Sequence, residues 1–213
     1  YYAREKYTQD YHLNIARKHL GRVSAEVVSK LLECLTATPF CEHYVDAIFD
    51  MVLGGRISQQ VLQTIDLFRF AVQMTESEEF KAAGWKLLSL FPINEETMCW
   101  GKQYTGTVLA AEAHRRFSEA TDEPAAAALH FTAYVLFAGF AVEKIYRLHI
   151  DLCVTYFHAK KPWSNEGAAL LSMIVNDILQ LPDVTSVHKR RAGCGELPRC
   201  YLPTPLHIAR CQE

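Results

Sequence analysis

Apolar residues recur every three or four positions through most of the chain and almost nowhere alternate one-for-one with polar ones, so the pattern is that of helices and not of half-buried strands. Tyr7, Tyr11 and Ile15 share one face of a segment running from Arg4 to Leu20, which Gly21 ends. Ser24 caps the next stretch, carrying Val27, Val28, Leu31, Leu32 and Leu35. Thr38 followed by Pro39 starts a third, whose stripe of Tyr44, Val45, Ile48, Phe49 and Val52 runs to Gly54 and Gly55. Ser58 opens a fourth, to Met74. Thr75 with Glu78 three residues later reads as a capping box before a fifth helix that lasts to Phe91 and Pro92. Asn94 with Glu95 and Glu96 repeats that logic for a sixth, reaching Ala120. An interruption is expected there at Gly101 or Gly106, because an interior glycine costs about 1 kcal/mol relative to alanine.

The seventh segment, Glu123 to His158, is the longest. From Ala125 to Val142 it is apolar on nearly every face, with His130 and Thr132 its clearly polar side chains. A helix without a polar face must be surrounded. Its surroundings are either protein or lipid, since about 18 apolar residues approach the minimum for crossing a bilayer. Alanine-rich stretches are weakly hydrophobic and no second span accompanies this one, so a central core helix is the reading adopted, with membrane contact over 125–142 as the alternative. Ser164 begins a last helix with Ala168, Leu171, Ile174, Val175 and Ile178 facing inward, and Pro182 ends it.

Beyond Pro182 the apolar period is lost, and half of the chain's 8 prolines lie from there to the end. The expected architecture is therefore all-α: an irregular bundle of about eight helices around a long apolar central helix over residues 1–182, followed by an extended tail over 183–213. No residue pattern recurs at a fixed period, which argues against a repeat array.

Half of the 213 residues are apolar, enough for a full core. The net charge of −2 gives no global field toward nucleic acid or an anionic membrane. Charge is uneven, however. From His188 onward five cations (Lys189, Arg190, Arg191, Arg199, Arg210) face Glu196 and Glu213, so the tail is net +3 and the body −5. The 7 cysteines are odd in number, and Cys34, Cys41, Cys99 and Cys153 fall within helical patterns. That usage suggests buried, reduced thiols in an intracellular or organellar compartment, cytoplasm or mitochondrion, and not a secreted disulfide framework. The chain shows no secretory pattern at its start and opens on Tyr1, as a fragment or processed product would.

Candidate chemistry concentrates in the tail. Cys194, Cys200, His207 and Cys211 supply three thiols and an imidazole, the donor set of a structural zinc, although their spacing is wider than that of usual knuckles. Lys189, Arg190 and Arg191 form a cluster that could grip phosphate, on RNA or on anionic lipid, without interleaved aromatics for base stacking. A di-iron bundle requires Glu-x-x-His on two helices, and that pattern is absent. His114, Glu143 and His149 are the remaining place for a buried metal or small-molecule site. Trp85, Trp100 and Trp163 are core fillers by default, with partner anchoring as their alternative. No glycine-rich phosphate loop or nucleophile elbow occurs. The function expected from this balance is a noncatalytic helical subunit or adaptor, without a cofactor beyond the candidate zinc. It would contact other protein subunits, with its tail docked on a neighbour. An RNA-contacting component of a ribonucleoprotein and a helical enzyme are the alternatives.

Overall fold

Side-chain caps mark where four of the nine described α-helices begin. In the computed structural model, which describes residues 25–37, 41–120, 123–159 and 164–181, nine α-helices and one 3-10 turn follow one another, with no strand among the described residues. They are α1 (Ala25–Ala37), α2 (Cys41–Leu53), the 3-10 turn Gln59–Leu62, α3 (Ile65–Glu76), α4 (Lys81–Leu88), α5 (Glu95–Lys102), α6 (Val108–Glu119), α7 (Pro124–Ala138), α8 (Val142–His158) and α9 (Asn165–Leu179). Thr64, Asn94, Thr107 and Ser164 each accept a hydrogen bond from the first turn they precede, and Pro124 occupies the start of α7. Asn94 and Thr97 form a reciprocal capping box.

Three sequence expectations need correction. The segment from Glu123 to His158 is two helices, because Gly139 adopts a left-handed conformation (φ 63°) and ends α7 after Ala138. Glycine enters that region without steric cost, and a C-terminal stop of this kind outweighs the continuous apolar pattern. Ser58 opens only the 3-10 turn, and Thr64 caps the helix that follows. The interruption expected at Gly101 or Gly106 falls at Gly106, in the link between α5 and α6. Thr75 caps nothing: it lies buried in the last turn of α3, and its hydroxyl donates to the Val72 carbonyl at 2.6 Å. Its neighbour is Gly84 of α4, where even a Cβ would press on the Thr75 backbone nitrogen, so no room remains for a capping geometry.

The expected central rod is α7. Its buried residues, among them Ala127, Ala128, Phe131, Thr132, Val135 and Leu136, point in all directions around the axis. It packs against α4, α5, α6, α8 and α9, while α1, α2 and α3 close the bundle around α4. No helix among the described residues is long and apolar enough to cross a membrane, and more than half of the apolar stretch 125–138 is buried against neighbouring helices.

Aromatic side chains fill the space where the helices converge. The Phe68 ring of α3 meets Phe91 (5.3 Å between centroids), Trp100 (5.7 Å) and Phe137 (6.1 Å), mostly edge to face. Trp85 is buried in the core, Trp100 is half-buried against it, and Trp163 lies outside the described residues. The thiols depart from the expected burial, since Cys34 and Cys153 are half-buried and Cys99 is exposed. Burial pushes the Cys153 thiol up to about 11, which keeps it protonated.

The closest approach to the rod is made by α5. A Cβ built on Gly101 would overlap the Leu136 carbonyl oxygen, backbone that cannot move without breaking the central helix. Gly101→Ala is therefore expected to cost about 3 kcal/mol or to prevent folding altogether, read as a drop in the urea midpoint at unchanged m-value. A loss below about 1 kcal/mol would mean that α5 and α7 do not meet this closely.

Candidate interaction surfaces

Helix α8 carries two apolar stripes at helical spacing on opposite sides. The inner one, Ile145, His149, Leu152 and Tyr156, is buried against the bundle. The outer one consists of Ile150, Val154 and Phe157, which are 36%, 50% and 49% exposed. Single exposed apolar residues are ordinary, but three at positions i, i+4 and i+7 line one face, with the exposed Arg147 and Asp151 beside them. The same spacing is how a helix presents anchors to a partner groove.

A second surface is a cleft of about 970 Å³ formed where the α2–α3 link, the residues leading into α5, and the C-terminal half of α9 meet. Val52, Ile57, Ile93 and Met173 make it apolar in part. Amide side chains are unusually frequent in its wall: Gln59, Gln60, Asn94, Asn176 and Gln180. Three carboxylates, Glu95, Glu96 and Asp177, face it, with Arg56 the one cation among its described lining residues. Gln63 donates to Glu96 at 2.5 Å.

Asp177 joins the three walls of the cleft. One carboxylate oxygen accepts from the Gln59 side chain and from the Ile93 backbone N–H, both at 2.9 Å, so α9 is braced to the 3-10 turn and to the entry of α5. An acidic side chain in the last turn of a helix opposes the helix dipole, and this one is retained by its bracing role. Burial pushes its carboxyl up to about 6, against the two hydrogen bonds that favour the anion.

The third feature is a smaller hollow of about 470 Å³ beside α6, lined by Arg115, Arg116, Glu119 and His130. Its arginines are already engaged. Arg115 bridges Glu112 and Glu119, and Arg116 donates to Glu112 at 2.8 Å while its guanidinium lies 5.1 Å from the centre of the Trp85 ring. The hydrogen bonds from Arg115 and Arg116 hold the Glu112 carboxyl down at about 2. Burial, followed by the Arg116 charge, lowers His130 to about 4, so its imidazole is neutral at physiological pH. This arrangement fixes α6 against α4 and α7 and leaves little positive charge for an anion.

The residues proposed for a buried catalytic or metal site are not brought together. His114 is exposed on α6 against the Tyr134 ring (5.2 Å), Glu143 is exposed at the start of α8, and His149 is buried beside Tyr146 (4.9 Å). Among the described residues no group of three or more His, Cys, Asp or Glu side chains could hold a metal ion. Cys194, Cys200, His207 and Cys211, and the cluster Lys189, Arg190 and Arg191, lie outside the described residues. The chain matches no protein-family model, no curated protein and no solved structure, so geometry alone carries the functional reading.

The raised carboxyl of Asp177 sets a pH dependence. Its proton is held more tightly in the folded chain than in the unfolded one, so its contribution to stability is greatest below about pH 4 and is lost as the pH rises through about 6. Asp177→Asn keeps an oxygen acceptor for Gln59 and Ile93 without the buried charge. The variant should be more stable than the parent by about 2 kcal/mol at pH 7.5, with the difference closing toward pH 4, as measured by urea denaturation across pH. A variant less stable at pH 7.5 would show that the anion is the form the fold requires.

Proposed function

We propose that this chain is a noncatalytic helical subunit or adaptor that works through protein contacts, with the outer face of α8 as its principal contact and its C-terminal tail reaching a neighbour. The observation that carries the reading is the aligned exposure of Ile150 and Val154 on a helix whose opposite face is already buried in the core. Two apolar side chains one turn apart on the outer side of such a helix call for a reason. Contact with a partner supplies one, since buried apolar area contributes about 25 cal/mol per Å². The polar residues flanking the stripe, Arg147 and Asp151, fit the mixed rim of such an interface.

A photo-activatable phenylalanine analogue placed at Val154, and separately at Glu119 on exposed α6, tests this in cells. A discrete covalent adduct is expected at 154 and not at 119, its mass giving the partner subunit or a second copy. Ile150→Glu, at an exposed position, should abolish the adduct while changing stability by less than about 0.5 kcal/mol. Equal labelling at both positions, or no adduct at 154 from a chain that native mass spectrometry shows as a monomer, would overturn the reading.

A further inference from the structure

We propose that the residues following Leu181, over 182–193, seat in the carboxylate-bearing cleft of their own chain. The cleft has what an extended peptide needs and this segment has what the cleft lacks. A peptide in extended form brings unpaired backbone N–H and C=O groups, and the amide side chains of Gln60, Asn176 and Gln180 on the wall offer both donors and acceptors to them. Val52, Ile57 and Met173 provide apolar contact for Val184 and Val187. Glu95 and Glu96 stand at the start of α5 on the cleft wall, and the segment's sequence carries the complementary cations Lys189, Arg190 and Arg191. Charge complementarity is therefore explicit: three carboxylates and one cation line the cleft, and the segment's cations are adjacent in sequence.

Connectivity favours the chain's own segment over a free peptide. Leu181 and Gln180 themselves line the cleft, so the residues that follow start at its edge. Seven residues lie between Leu181 and Lys189, and an extended chain advances at most about 3.5 Å per residue, ample to reach Glu95 and Glu96 across a cleft of this size. A tethered segment also arrives at an effective concentration in the millimolar range, so modest contacts suffice to hold it. The segment would then be shielded in the isolated chain and released to a neighbour that competes for it. This inference does not depend on the α8 contact, which involves a different face, and the two fail separately.

Zero-length carbodiimide coupling of the full chain, with cross-links mapped by mass spectrometry in the monomer fraction, reads the contact directly. The expected result is that Lys189 joins Glu95 or Glu96 in preference to other exposed carboxylates such as Asp50 and Glu33. Arg190→Glu with Arg191→Glu leaves both reacting groups in place and should reduce that cross-link roughly tenfold, as should high salt. Lys189 coupling without preference among carboxylates, coupling unchanged by the charge reversal, or coupling found only in covalent dimers would overturn the proposal. Each of these can arise while the α8 adduct persists.

Discussion

A helix with no polar side can exist in water only if other elements cover it, and α7 imposes that condition on the whole bundle. Five helices meet it, and the small residues Ala127, Ala128 and Ala133 let their backbones come near. Gly101 shows how tight the covering is, because α5 can touch the Leu136 carbonyl only where no side chain intervenes. The same demand explains the break at Gly139. A rod continued in a straight line to His158 would leave its second half beyond the reach of the covering helices, whereas a left-handed residue lets α8 pack against both α7 and α9.

Burying so much apolar surface leaves few polar side chains inside, and some of those at its edge serve as braces. Thr75 is satisfied within its own helix, Thr97 bonds the Pro92 carbonyl and the Asn94 cap, and Asp177 ties together three segments that are distant in sequence. At the surface, Lys86 pairs with Asp46 at 2.9 Å and sits over the Phe49 ring, linking α4 to α2. Pairs of this kind contribute little individually when exposed. The ladder of Glu112 with Arg115 and Arg116 does more by position than by energy, since it lays a guanidinium over Trp85 and closes the core at that point.

Two surfaces stand out among the described residues once the core is complete. One is the outer stripe of α8, which is apolar and convex. The other is the cleft, whose amides and carboxylates suit a polypeptide more than a small apolar ligand, for which a mostly hydrophobic lining is usual. The described histidines are dispersed: His114 lies at the surface, His130 beside the α6 hollow and His149 in the core.

What the residues alone determined was the existence and placement of most helices, because caps and apolar period act over three or four neighbours and are written locally: Asn94, Pro124 and Ser164 each mark a start that the fold keeps. The need for a surrounded rod was legible for the same reason, since its all-apolar circumference is visible residue by residue. The outer stripe of α8 was present in the spacing of Ile150, Val154 and Phe157, yet nothing local distinguishes it from the inner stripe of Ile145, Leu152 and Tyr156. Only packing chose which face went inside. Thr75 and Glu78 illustrate the converse, a good local signal defeated by the crossing of α3 and α4 at Gly84. The cleft and the brace at Asp177 belong wholly to tertiary structure, because they join positions 59, 93 and 177, and a local code carries no information about which distant segments will share a wall.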